Sequence, residues 1–254
     1  MSGPDLTVNN LCYRYPDGTE AIRGVSFRVA HGESVAIVGA NGAGKSTLLL
    51  HLNGCLEPSE GSIFIGSVSV AKKSLPFVRR SVGMVFQDPD DQLFMPSVYD
   101  DVAFGPANMG LAAEDIEKRV EEALRAVDAL YLRDRPTYRL SQGEKRRAAI
   151  ASVLSMNPDI LVLDEPGSAL DPRGRKALIA LLKTFLHTKI LATHDLDMVM
   201  DLCERTIILH EGRVLADGFT EKLLSDQALL SGSGLEKPLR LEVCPVCGHG
   251  DPPG

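Results

Sequence analysis

No apolar run in the sequence approaches 18 residues, so no transmembrane helix is expected. Met1 to Asp5 carry no charged and apolar leader, so no signal peptide is expected. Cysteine is sparse: five residues, an odd number and mostly scattered, which suits a reducing compartment rather than a disulfide framework. Basic charge is not in excess. The formal net charge of −7 argues against a generic nucleic-acid binder, though it leaves local basic patches open. These absences together point to a cytoplasmic chain. Any work at a membrane would be done from its cytoplasmic surface, through another chain.

The 254 residues suffice for one large domain or two small ones. A hydrophobic share of 44% and a charged share of 24% are those of a soluble globular protein with a sizeable core. The strongest local signal lies at residues 35–47. The apolar run Val35-Ala36-Ile37-Val38 ends at Gly39, followed by Ala40, Asn41, Gly42, Ala43, Gly44, Lys45, Ser46, Thr47 and an apolar stretch to Leu52. The spacing G-x-x-x-x-G-K-S between a strand and a helix reads as a phosphate-binding loop. Gly39, Gly42 and Gly44 let successive N–H groups face one concavity, and the following helix adds the positive end of its dipole. In such a loop Lys45 reaches the β- and γ-phosphates and the Ser46 hydroxyl ligates Mg²⁺.

Along the chain, residues 6–15 and 20–31 read as two strands around a turn at Pro16-Asp17-Gly18. Tyr13 and Tyr15 near the end of the first read as ordinary strand aromatics on their own, although either could stack on a purine. Residues 61–66 read as a strand, 67–81 as a polar irregular connection, and 82–86 as another strand ending at Gln87. The acidic and apolar stretch 88–94 reads as a functional loop. Helices are expected over 97–109 and 113–130, the second with Ile116, Val120, Ala123, Leu124 and Val127 on one face, and together they suggest a helical subdomain. Another helix opens at Leu140-Ser141-Gln142-Gly143-Glu144 and runs to about Met156. Ser141 with Glu144 is a capping box, whereas a serine and a close-approach glycine at a helix start also make an anion site, and both readings stand.

The continuous apolar run Ile160–Leu163 suits a strand buried on both faces, and it ends at Asp164-Glu165. Asp171 and Pro172 open a helix to about Leu186. Lys189–Thr193 is the next buried strand, ending at His194. A lone histidine there would more often be structural. Asp195 caps a short helix to about Cys203, residues 205–209 and 213–216 form a hairpin, and a short helix follows to about Leu230. Four apolar runs thus end at Gly39, Gln87, Asp164-Glu165 and His194. In a parallel α/β sheet ligands bind at the carboxyl ends of strands, so these endpoints can converge on one triphosphate. That convergence makes the case for nucleotide hydrolysis.

Over about residues 5–225 the sequence resembles the ATP-binding cassette family. Gly39–Thr47 looks like its Walker A loop, Gln87 its Q-loop glutamine, and Leu140–Glu144 its signature. Ile160–Glu165 looks like Walker B, Ser168–Asp171 the D-loop and His194 the switch histidine. The resemblance implies an α/β P-loop NTPase fold with a parallel-sheet core, an N-terminal antiparallel β subdomain and a helical subdomain over about 95–157. It makes Tyr15 the adenine-stacking aromatic. It also implies a dimer, most simply a homodimer, in which ATP lies between the phosphate loop of one copy and Ser141 and Gly143 of the other. Ser46, Asp164 and Gln87 would organise Mg²⁺, Glu165 would act as general base, and His194 and Lys45 would stabilise charge on the γ-phosphoryl group. The signature departs from the usual form at Gln142, where glycine is common, and at Glu144, where glutamine is common.

Three further stretches, Tyr13–Gly18, Phe86–Phe94 and Asp101–Pro106, look like the ATPases of energy-coupling-factor importers, and most like their cobalt and nickel branch. The resemblance implies integral membrane subunits as partners, a peripheral place on the cytoplasmic face of the membrane, and no nucleic acid. A vitamin or other micronutrient is the alternative cargo. The alternative class, a soluble cassette acting on nucleic acid or ribosomes, usually brings coiled-coil insertions or a second cassette, and neither is present. The cassette is expected over 1–230. Residues 231–254 are expected as a flexible tail that begins with the linker Ser231-Gly232-Ser233-Gly234. Within the tail Cys244, Cys247 and His249 could hold zinc or the transported metal, although half a knuckle is a weak signal.

Overall fold

A computed structural model describes residues 3–241, so the tail cysteines 244 and 247 and His249 lie outside the described residues. The chain begins with the antiparallel strands β1 (Leu6–Arg14) and β2 (Glu20–Val29), joined by a turn in which the Gly18 N–H donates to the Tyr15 carbonyl. Strand β3 (Ser34–Val38) then runs into the glycine loop and helix α1 (Lys45–Leu52). Next come β4 (Glu60–Ile65), β5 (Val68–Ser69) and helix α2 (Leu75–Ser81). The segment 67–81, expected as irregular, therefore folds into regular structure. Its polar surface hid the fact that Val78 is buried and that Pro76 occupies a position in the first turn, where its missing N–H costs nothing.

Strand β6 (Val82–Val85) leads to the acidic loop and the helices α3 (Val98–Asn108), α4 (Ala113–Ala126) and α5 (Gln142–Leu154). Helix α4 stops four residues before its expected end at 130. Asp128 takes a left-handed backbone conformation (φ 52°), which the 3.6-residue pattern could not reveal. The remaining elements are β7 (Ile160–Asp164), α6 (Pro172–Thr184), β8 (Thr188–Ala192), α7 (Leu196–Leu202), β9 (Arg205–His210), β10 (Arg213–Phe219), α8 (Thr220–Ser225) and α9 (Gln227–Gly232).

The strands form two sheets. One is antiparallel, in the order β2-β1-β4-β5. The other has six strands in the order β10-β9-β3-β8-β7-β6, parallel except for the β9–β10 hairpin. Alternating residues of the central strands face two separate cores. Val35, Ile37, Ile160 and Val162 pack with the antiparallel sheet and α1. Ala36, Val38, Leu161 and Leu163 pack with helices α3 to α7. Burial on both faces is why these strands read as continuous apolar runs.

The expected linker at 231–234 is also corrected. Helix α9 includes Ser231 and Gly232, and Ser233 is fully buried with its hydroxyl donating to the carbonyls of Leu229 and Leu230. Gly234 approaches the glycine loop so closely that a Cβ there would stand 3.3 Å from that of Ala40. Beyond it, Arg240 bonds Asp197 and Asp201 of α7 at 3.1 Å each. Small polar residues here serve close packing, not slack.

Candidate active site

The site lies at the carboxyl ends of β3, β7 and β8, three adjacent strands of the parallel sheet. The loop after β3 needs glycine for two distinct reasons. Gly42 (φ 80°) and Gly44 (φ 102°) take the left-handed conformation, and a Cβ on Gly39 would stand 2.2 Å from the Leu209 carbonyl oxygen. Lys45 opens α1, is only 7% exposed, and its ammonium donates to the carbonyls of Gly39 (2.8 Å) and Ala40 (3.1 Å). A cation is thus held inside a ring of backbone at a helix N-terminus, where anions bind. Burial pulls the Lys45 ammonium below the usual lysine range, opposed by the charges of Glu165 and Asp164.

Tyr15 lies against this loop from the antiparallel sheet. Its hydroxyl is 2.9 Å from Thr47 Oγ1, and its ring meets Tyr13 edge to face at 4.9 Å. Asp164 ends β7 at 3% exposure, and its Oδ1 has no hydrogen-bond partner among the described residues. Burial raises its carboxyl above the ordinary aspartate value. The Ser46 hydroxyl pulls it back, Glu165 adds to the rise, and Lys45 and Arg146 oppose it. A buried carboxylate oxygen with nothing to bind, beside a serine hydroxyl, is a hard oxygen donor set of the kind a Mg²⁺ ion takes.

Glu165 sits in a left-handed conformation (φ 46°) that turns its side chain toward the end of β8. Its carboxylate accepts from Thr193 Oγ1 at 3.0 Å and from the His194 N–H at 3.1 Å, and lies 2.9 Å from His194 Nδ1. The His194 side chain itself is 70% exposed. The Thr193 hydroxyl and His194 Nδ1 both meet Oε2, while the His194 N–H meets Oε1, so both carboxylate oxygens are held by the end of β8. Asp195 next to it caps α7 and is gripped by both arms of Arg175 (2.6 and 2.9 Å).

The structure brings Lys45, Ser46, Tyr15, Asp164, Glu165 and His194 together. Gln87 is exposed, with its carbonyl accepting from Arg146. Ser141 and Gly143 are not in this cluster. They line a separate cleft of about 540 Å³ with Leu170 and Asp171. The capping box is formed: the Glu144 N–H donates to Ser141 Oγ (3.3 Å), while the Ser141 N–H and hydroxyl donate to Glu144 Oε2 (2.8 and 2.9 Å). Residues that the sequence reading passed over include Thr193, Arg146 and Gln92. Thr193 stood next to His194, but a hydroxyl on a buried strand carries no motif. Arg146 sat unremarked in the basic run Lys145-Arg146-Arg147.

A family model described as ABC transporter matches residues 22–168, more than half the chain. The chain belongs to the ABC transporter family. It is an ABC ATPase, an ATP hydrolase coupled to transport. A putative ABC transporter ATP-binding protein of Geobacter sulfurreducens is 62% identical over 249 residues, covering 98% of this chain and all of that one. The energy-coupling factor transporter ATP-binding protein EcfA of Carboxydothermus hydrogenoformans is 47% identical over 94% of this chain and 89% of its own. Among solved structures, cbiO1 of Clostridium perfringens, part of the ABC transporter complex cbiONQ, is 43% identical with a TM-score of 0.77, over 89% of this chain and 93% of that one. The ATP-binding cassette MJ0796, seen as a dimer bound to ADP and Pi, is 27% identical with a TM-score of 0.79, over 85% of this chain and 98% of that one. No helix among the described residues is long and apolar enough to cross a membrane.

Proposed function

We propose that this cassette is the ATP-hydrolysing subunit of an energy-coupling-factor importer, with cobalt or nickel as cargo. The observation that carries the hydrolytic part is the meeting of Lys45, Asp164 and the Glu165–His194 pair at three adjacent strand ends. The importer class rests on the likeness to EcfA and cbiO1. The metal rests on the sequence resemblance of Tyr13–Gly18, Phe86–Phe94 and Asp101–Pro106 alone.

In the mechanism, Tyr15 stacks on adenine and the loop from Gly39 to Thr47 cradles the phosphates. Ser46 and Asp164, together with Gln87, would hold Mg²⁺, and that ion would neutralise charge on the phosphates. Lys45 leaves the carbonyls of Gly39 and Ala40 for the γ-phosphate. Glu165 takes the proton of the attacking water, and His194 steadies the charge on the γ-phosphoryl oxygens. Ser141 and Gly143 of the partner subunit close over the nucleotide in a homodimer. The cassette works as one domain with α3 to α5 as its helical subdomain, on the cytoplasmic face of the membrane.

The coupling surface is the segment from Gln87 to Gly105. Phe94 is exposed there and meets Phe104 edge to face at 5.0 Å, while Asp101 fixes the loop by accepting from the N–H groups of Phe94 and Met95. An exposed aromatic pair that follows the exposed Asp88, Asp90 and Asp91 in the chain suits an apolar and basic segment of a membrane subunit. Among the described residues no group of three or more His, Cys, Asp or Glu side chains is placed to hold a metal. The test is a pull-down of the tagged protein from detergent-solubilised native membranes, followed by ATPase and metal-uptake assays. Recovery of a few polytopic membrane proteins is the expected result. Recovery of soluble partners or nucleic acid alone would overturn it.

A further inference from the structure

His51 is fully buried in the last turn of α1, one helical turn after Thr47. Its Nδ1 lies 2.7 Å from the Thr47 carbonyl and donates to it, since a carbonyl can only accept. Burial pulls its pKa below the usual histidine value, so the ring is neutral and Nε2 carries a lone pair. That nitrogen is enclosed and has no hydrogen-bond partner among the described residues. An enclosed imidazole that satisfies one nitrogen only is a poor way to fill a core, and leucine would fill it without an orphaned acceptor. The position is therefore explained by what the ring touches.

The imidazole meets the Tyr13 ring edge to face, with centroids 4.7 Å apart. Tyr13 in turn meets Tyr15 in the same manner at 4.9 Å, and the Tyr15 hydroxyl is 2.9 Å from Thr47 Oγ1. These contacts close a circuit through Thr47, His51, Tyr13 and Tyr15. Two of its members stand on α1, and the other two stand at and just beyond the end of β1. Thr47 enters twice, with its carbonyl toward His51 and its hydroxyl toward Tyr15. One hydrogen bond at the hydroxyl would leave the Tyr15 ring free to swivel about that atom. The Tyr13 ring against it fixes the plane, because aromatic pairs favour offset or edge-to-face geometry. His51 then ties Tyr13 to the helix. The plane of Tyr15 is thus referenced to α1, whose first turn holds Lys45 and Ser46.

We propose that His51 is a positioning residue that, through Tyr13, sets the plane of Tyr15 relative to the phosphate loop and so the affinity for the adenine base. This rests on the reading of Tyr15 as the ring that stacks on adenine. The base and the phosphates of one nucleotide are then gripped by different parts of the fold, the end of an antiparallel strand and the loop after β3. The circuit fixes the span between the two grips. Its effect belongs to binding rather than chemistry, because contacts to the base are the same in the ground state and the transition state.

The test is a pair of double-mutant cycles in the full-length protein: His51→Leu, Tyr13→Leu and Tyr15→Leu singly, and each of the first two combined with the third. Equilibrium binding of ATP with Mg²⁺, steady-state ATPase kinetics and thermal unfolding are measured. His51→Leu and Tyr13→Leu should each weaken ATP binding and raise KM about three- to tenfold, the scale of a lost aromatic pair, with kcat within about twofold of wild type. In the Tyr15→Leu background neither should weaken binding further, because a residue that acts through Tyr15 has nothing left to position. A merely structural histidine would instead lower the unfolding midpoint, and its loss would add in full to that of Tyr15→Leu. If His51→Leu does not fold, Tyr13→Leu decides alone, and wild-type ATP affinity in that variant overturns the proposal. Unchanged ATP affinity in Tyr15→Leu overturns the adenine reading and this link together. Weakened binding in Tyr15→Leu, with wild-type affinity in the other two or with effects that add in full, overturns the link only.

Discussion

Replacing Glu165 by glutamine separates chemistry from architecture, because the structure allows each loss to be sized. The glutamine keeps the side-chain volume and one acceptor oxygen for the His194 N–H, and its amide N–H can donate to Thr193 Oγ1 in place of the bond that Thr193 now gives. The structural loss is the charge on that contact, roughly 1 kcal/mol. In a domain of this size such a loss lowers the unfolding midpoint by about 2–4 °C and leaves the protein folded at working temperature. The chemical loss is larger. Removing a general base costs about 10²–10⁴ in rate, or roughly 3–5 kcal/mol of transition-state stabilisation. Nucleotide binding, which uses Lys45 and the glycine loop, should persist. The assay is phosphate release beside equilibrium binding of ATP with Mg²⁺. A hundredfold fall in release with binding within about twofold is expected. Hydrolysis within twofold of wild type would refute the role of Glu165, and loss of binding would show that the carboxylate supports the site rather than acts in it.

Other expectations follow from single contacts. Gly39→Ala drives a Cβ to 2.2 Å from the Leu209 carbonyl, so it should destabilise the protein by about 1–3 kcal/mol and abolish nucleotide binding, as read by thermal shift with and without ATP. Glu144 is held below the usual glutamate range by the Ser141 N–H and hydroxyl. Its contribution to stability is therefore present above the unfolded value and fades as pH falls through the folded one. Thermal midpoints of wild type and Glu144→Gln should differ at pH 7 and converge on acidification. Arg240→Ala removes partly exposed ion pairs to Asp197 and Asp201 and should cost no more than about 1 kcal/mol, yet speed amide exchange over 235–241.

The candidate site was legible as a cluster because its residues stand in short contiguous runs. Gly39–Thr47, Asp164-Glu165 and His194 each close an apolar run, and parallel strands bring such endpoints together whatever separates them in the chain. What was illegible depended on contacts from elsewhere. The capping box of Ser141 could be read only as one of two uses, and the structure shows it formed while its use at an anion stays a proposal. The small residues 231–234 looked slack because nothing in them shows that Ser233 would be buried against α9. The 67–81 segment buries too little apolar surface to print a period. Arg146 resembles any solvated helix cation until its acceptors, about 20 and 60 positions away, are in place.

The strand order also grades how firmly each functional residue is held. Gly39, Glu165 and His194 follow β3, β7 and β8, each of which has a hydrogen-bonded strand on both sides. Gln87 follows β6, the edge strand, whose backbone pairs with β7 alone. Amides of β3 and β8 should therefore exchange with solvent only when the whole domain opens, whereas those of β6 and the residues after it exchange through local fraying. The residues proposed to handle phosphate thus stand on a stiff rail, and the one proposed to report to another subunit hangs from the margin, where a small force can move it.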